Sequence, residues 1–247
     1  MNTSLASVSF RELSAEKVIL VAQRAGLQAI EWGGDVHVPS GDLHQAEKVR
    51  LLCDDAGLTI SAYGSYYAAD EAENFSSVLE TARVLGARII RVWAGRRASA
   101  KCSPSERASL TQRLQCAAEM ARNMDCIVAT EYHANTLTDS RDSAALLLQQ
   151  APELQTFWQP PVGVSVEENR KTISELHGRI ENVHVYKRNS QGQRMALNDG
   201  IDEWREYFSL LDIDGKVRYA TLEFVARDET EQLFRDAATL RTILRDE

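Results

Sequence analysis

Short apolar runs alternate with longer amphipathic segments from one end of this chain to the other, and nothing interrupts the alternation. Eight strand-like runs cover residues 5–10, 29–32, 58–63, 89–93, 126–131, 154–158, 180–185 and 219–224. Eight helix-like segments lie between and after them, near 15–24, 43–55, 71–85, 106–124, 141–149, 166–176, 204–211 and 229–244. Strict alternation of this kind implies parallel strands joined by helical crossovers. The length of 247 residues suits an eight-fold β/α barrel, which takes about 250. The expected fold is therefore α/β, a (β/α)8 TIM barrel, with residues 1–247 forming a single domain. A doubly wound open sheet is the competitor, but Phe10-Arg11-Glu12-Leu13 after the first run lacks the glycines of a phosphate-binding loop.

Local punctuation agrees with these boundaries. Gly26, Gly57 and Gly86 each stand just past a helix-like segment and just before a strand-like one, where a left-handed C-cap is needed. Ser14 and Ser103 offer capping hydroxyls at two helix starts, each with a glutamate two or three residues on. The polar stretch 189–200 follows the seventh strand and reads as a loop over the barrel mouth.

Composition removes several function classes. With 36 acidic and 28 basic side chains, a net charge of -8 leans against nucleic acid as a partner. No run is long enough to span a membrane, and the first ten residues carry no basic, apolar leader pattern. Cys53, Cys102, Cys116 and Cys126 form no C-x-x-C pair, as expected of free thiols in a cytoplasmic protein. A homo-oligomer is compatible with exposed barrel helices.

Two of the runs end on a glutamate: Cys126-Ile127-Val128-Ala129-Thr130-Glu131 and Tyr219-Ala220-Thr221-Leu222-Glu223. A carboxylate delivered by a buried strand is costly unless it is paired or metal-bound. In a TIM barrel all strand C-termini open onto the one face that carries the active site. The residues at those ends are Glu31 and Trp32, Tyr63, Trp93, Glu131 with His133, Gln159, His184 with Lys187, and Glu223. Carboxylates with an imidazole and no cysteine suit Mn²⁺, Co²⁺, Mg²⁺ or Zn²⁺. Glu131, His184 and Glu223 are thus candidate metal ligands, and rim ion pairs with arginine are the bland alternative. His133 projects from the same side as Glu131 if the strand continues. His37 sits in a glycine-containing loop after the second strand, and Tyr63 and Trp93 offer aromatic faces to a sugar. Lys187 and Arg227 are candidate anion or oxyanion contacts. No Walker loop, nucleophile elbow or Ser-His-Asp order is present.

These residues carry a resemblance to the xylose isomerase-like barrel superfamily of sugar phosphate isomerases and epimerases. It rests on Ile30-Glu31-Trp32-Gly33-Gly34-Asp35, Tyr63-Gly64-Ser65-Tyr66-Tyr67, Arg91-Val92-Trp93-Ala94-Gly95, Glu131-Tyr132-His133, Asn182-Val183-His184-Val185 and Leu222-Glu223-Phe224. The resemblance implies a divalent metal held at Glu131, Gln159, His184 and Glu223, with glutamine standing where the family has aspartate. It also implies that Glu131 and Glu223 act as opposed acid and base on a carbonyl substrate, a sugar or sugar derivative, through a cis-enediolate. The function expected is a metal-dependent sugar or sugar phosphate isomerase or epimerase. A metal-dependent lyase or dehydratase on a sugar-like acid or polyol would reuse the same proton abstraction, and a non-catalytic sugar-binding barrel is the third reading. A trinuclear zinc endonuclease fits less well, because Tyr63 and Trp93 occupy positions where it needs histidines.

Overall fold

The computed structural model describes residues 1–70 and 72–245. Eight parallel strands close into a barrel in sequence order: β1 Asn2–Ala6, β2 Ala29–Gly33, β3 Thr59–Gly64, β4 Ile89–Val92, β5 Ile127–Glu131, β6 Gln155–Trp158, β7 Ile180–Val185 and β8 Tyr219–Leu222, which returns to β1. The surrounding helices are α1 Ala15–Arg24, α2 Leu43–Ala56, α3 Phe75–Leu85, α4 Pro104–Arg122, α5 Arg141–Gln150, α6 Val166–Leu176, α7 Ile201–Leu211 and α8 Thr230–Arg245. None of the described helices is long and apolar enough to cross a membrane. All four cysteines are free.

Two cores follow from the two faces of each strand. Outward residues such as Ile30, Ile90, Val128, Trp158, Val183 and Leu222 pack under the helices. Inside the barrel a separate small cluster of Ala62, Ala129 and Phe157 makes a plug. Because side chains alternate along a strand, the residues two places on from Ala129 and Phe157, namely Glu131 and Gln159, project above that plug. The Phe157 ring lies edge-on to the His184 imidazole with centroids 5.4 Å apart.

Several local expectations shift. The run 5–10 reads as a strand because Leu5, Val8 and Phe10 are apolar, but β1 ends at Ala6 and Ser7–Phe10 forms a 3-10 turn. The turn is fixed by the Ser7 hydroxyl, which accepts the Gly33 N–H at 2.9 Å. Ser103 and Glu106 form a complete capping box on α4, whereas Ser14 makes no side-chain cap bond on α1. Gly57 and Gly86 are the left-handed C-caps expected; on α1 the cap is Ala25, and Gly26 takes positive φ one residue later. The helix expected over 71–85 starts at Phe75 behind an Asn74 cap, and Glu71 lies outside the described residues. The stretch 189–200 is more ordered than a plain loop: Lys187–Arg188 pairs antiparallel with Arg194–Met195, and Leu197–Gly200 adds a 3-10 turn into α7.

Non-glycine residues with positive φ gather at the C-terminal face. Tyr66 and Ala69 follow β3, Asn135 follows β5, and Phe224, Arg227 and Asp228 follow β8; among the described residues only Asp125 lies elsewhere. Such conformations cost on the order of 1–3 kcal/mol each and collect where a site must be shaped.

Candidate metal centre

Three strand ends bring the nominated ligands together. Glu131 is the last residue of β5, and His184 lies in β7. Glu223 stands one residue past β8, where its N–H still donates to the Val185 carbonyl at 3.1 Å. One ligand atom from each of Glu131, His184 and Glu223 falls within 4.8 Å of the others, and all three residues are buried. His184 Nδ1 stands 3.2 Å from Glu223 Oε2 and 3.7 Å from Glu131 Oε1. Its other nitrogen, Nε2, is bonded to Glu31 Oε2 at 2.9 Å. That partner orients the ring and leaves Nδ1 facing the two other ligands, as in carboxylate–histidine–metal triads.

Hydrogen bonding in this cluster is incomplete in a telling way. His184 Nδ1, Glu223 Oε2 and Gln159 Oε1 are buried and have no hydrogen-bond partner. An orphaned buried polar atom costs about 1–3 kcal/mol, and here three belong to residues at the ends of the neighbouring strands β6, β7 and β8. Gln159 spends its amide N–H groups on Glu131 Oε1 and the Tyr132 carbonyl, both at 3.0 Å, which fixes the amide with its oxygen unpaired. Two carboxylates, an imidazole nitrogen and an amide oxygen are a donor set that a divalent cation satisfies. The residues fit the ion that the donor pattern implies.

Electrostatics follow from what each group meets. Burial works to raise the Glu131 carboxyl, yet Arg91 and His184 outweigh it and hold it well below the usual carboxylate range. Glu31 is lowered in the same contest, against burial, by His184 and Arg91. Burial works against a charged His184, but Glu223 and Glu31 raise it well above the ordinary imidazole value.

Arg91 is the residue of this buried cluster that strand-end reading missed. Its Nε donates to Glu31 Oε1 at 2.6 Å and its Nη1 to Glu131 Oε2, and the residue is only 3% exposed. The signal was period two: Arg91 lies two residues before Trp93, which was already placed at the mouth. Glu31 was on the strand-end list without a role, and it joins Arg91 to His184.

The remaining nominated residues separate into two groups. Trp93 donates its indole N–H to Glu131 Oε2 at 2.7 Å and stacks on His133 with centroids 5.2 Å apart. His133 binds the Ala134 carbonyl through Nδ1 at 2.7 Å and borders a cavity of about 530 Å³ shared with Tyr132, Gln159, Tyr186, Arg188 and Phe224. Tyr63 and His37 are packed away instead. The Tyr63 hydroxyl donates to the Val38 carbonyl at 2.9 Å, and His37 is buried against Trp32 with Nε2 3.0 Å from the Leu13 carbonyl oxygen. Lys187 pairs with Glu203, and exposed Arg227 pairs with Glu229 at 2.7 Å.

Comparison with known proteins agrees with the fold. A family model described as xylose isomerase-like TIM barrel matches residues 19–243, and the chain belongs to that family. A 3-dehydroshikimate dehydratase of Bacillus anthracis is 28% identical over 266 residues, covering 94% of this chain and 94% of that protein. The crystal structure of the probable 3-DHS dehydratase AsbF, also from Bacillus anthracis, superposes with a TM-score of 0.83 at 20% identity, covering 98% of this chain and 99% of that one. The 3-keto-D-glucoside 4-epimerase YcjR of E. coli superposes with a TM-score of 0.75 at 16% identity, covering 98% and 99%.

Proposed function

We propose that this xylose isomerase-like barrel is a metal-dependent lyase that dehydrates a small polyhydroxylated carbonyl compound. Glu131, His184, Glu223 and the Gln159 amide oxygen would hold the divalent ion. When bound, the ion supplies Lewis-acid polarisation of a substrate carbonyl.

Glu223 removes the proton on the carbon next to that carbonyl. The electron pair of the broken C–H bond becomes a C=C bond as the neighbouring C–O bond breaks, and the departing hydroxide takes up a proton and leaves as water. His133, which borders the cavity that Gln159 also lines, would give that proton. Its Nδ1 faces the Ala134 carbonyl, which leaves Nε2 as the nitrogen that would deliver the proton.

One observation carries this choice: the two glutamates are unequal. Glu131 accepts hydrogen bonds from Arg91, Trp93 and Gln159. Those donors stabilise its ionised form and make it a poor base. Glu223 Oε2 has no hydrogen-bond donor. It meets the His184 imidazole, 3.2 Å away, and a site with one carboxylate so lightly held suits elimination, which needs one base next to the carbonyl. The dehydratase likeness, 28% identity over almost the whole of both chains, supports the same chemistry.

Epimerisation is the second reading, favoured by the position of Glu131 and Glu223 on either side of His184; it asks Glu131 to return a proton. Incubation with 3-dehydroshikimate and Mn²⁺, Co²⁺ or Mg²⁺ tests the lyase, because water loss aromatises that ring and raises its ultraviolet absorbance. Deuterium uptake from heavy water into ketoses, without water loss, would replace the lyase by an epimerase.

A further inference from the structure

The hairpin after β7 carries three cations, and two of them are neutralised. Lys187 pairs with Glu203 and Arg194 with Asp228. Arg188 has no acidic partner among the described residues. Its hydrogen bonding is limited to Nη1 and the Gly192 carbonyl at 3.3 Å, and its Nε is buried with no acceptor. The guanidinium carbon lies 4.1 Å from the centroid of the Phe224 ring and 5.5 Å from that of Tyr186. Stacking of this kind uses the face of the guanidinium and leaves its in-plane N–H groups for a planar acceptor. Arg188 borders the same 530 Å³ cavity as Gln159 and His133, so its unspent charge shares a cavity wall with the candidate ligand Gln159.

We propose that Arg188 is a specificity-determining residue that binds a carboxylate on the substrate, so that the site takes hydroxylated keto acids in preference to neutral sugars. This rests on the reading of that cavity as the lyase's substrate pocket. A guanidinium fork matches a carboxylate in shape and charge. A phosphate is also an oxyanion, but as a dianion it asks for a second cation, and Lys187 and Arg194 are already paired.

The test is binding of 3,4-dihydroxybenzoate and 3,4-dihydroxybenzamide to the Mn²⁺-supplemented protein by calorimetry. The two probes share the catechol, so any contribution of the ion cancels. The carboxylate should bind about 10- to 100-fold tighter than the amide, the worth of one charged hydrogen-bonded contact. Arg188→Met should erase that preference while moving amide affinity less than about 2-fold, and Arg188→Lys should restore part of it. Unchanged thermal stability of both variants shows that the fold is kept. Equal binding of the two probes, no binding of the carboxylate, or its displacement by equimolar inorganic phosphate overturns the assignment. Turnover is not needed for this readout. Charge preference lost in Arg188→Met, with no dehydration of 3-dehydroshikimate, would sink the lyase reading and leave this one standing.

Discussion

Two buried arginines hold opposite ends of this barrel, and they are satisfied very differently. Arg218, just before β8, is fully buried; it donates to the carbonyls of Ile180, Leu211 and His177, each at 2.8 Å, and to both oxygens of Asp214 at 2.7 and 2.6 Å. That guanidinium is closed within the chain and ties α7, β7 and β8 together at the N-terminal face. Arg91 is nearly as buried, but it serves two carboxylates whose neighbours still carry orphaned atoms. Complete pairing marks a part built for stability. Orphaned ligand-type atoms of His184, Glu223 and Gln159, at the end where strained residues also collect, mark a part built for a partner outside the chain.

Substitutions at the two ends should therefore break different things. Glu223→Gln should lower turnover or solvent isotope exchange by roughly 10²–10⁴-fold, with only a modest fall in thermal stability from loss of its 3.2 Å pairing with His184. Arg218→Met should do the reverse. The carbonyls of Ile180, Leu211 and His177 would lose their donor, at about 1–3 kcal/mol for an orphaned buried acceptor, read as a lower denaturant midpoint, with metal affinity unchanged. Glu31→Gln should fall between them. Losing the carboxylate behind a ligating histidine typically costs about 10- to 100-fold in metal affinity, which calorimetry would show. Equal effects of Glu31→Gln and Arg218→Met on stability alone would erase the distinction between the two ends.

The smallest effect expected is on pH dependence. His184 is raised by Glu223 and Glu31 against the opposing effect of burial. The stability it lends the metal-free protein is fully present below the unfolded imidazole value of about 6.5 and is lost as pH rises through the higher folded value. Metal-free protein should therefore melt at lower temperature on the alkaline side. Metal-loaded protein should be less sensitive there, because a ligating imidazole nitrogen carries no proton. Parallel pH profiles for the two forms would remove His184 from the ligand set.

The barrel was legible because each strand's outward apolar residues and each helix's amphipathic face repeat eight times, so one misplaced boundary costs little. β1 was misread over 7–10, where alternating serines and apolar residues mimic a strand and a tertiary bond from the Gly33 N–H to the Ser7 hydroxyl decides the turn. Glu131, His184 and Glu223 were legible because strand ends are visible in sequence. Arg91 was not, since an arginine inside an apolar run shows its meaning only when Glu31 and Glu131 are seen on either side of it. The packing of Tyr63 and His37 was equally hidden: Val38 and Leu13, which accept their hydrogen bonds, lie 25 and 24 residues away in sequence.

The central claim is that the orphaned atoms of His184, Glu223 and Gln159, with Glu131, form a divalent cation site. Calorimetric titration of chelator-stripped protein with Mn²⁺, in two buffers of different ionisation heat, tests it directly. The account predicts saturation near one ion per chain, release of about one proton from His184, and loss of the site in His184→Ala. No saturable binding, or binding unchanged in His184→Ala, would contradict it.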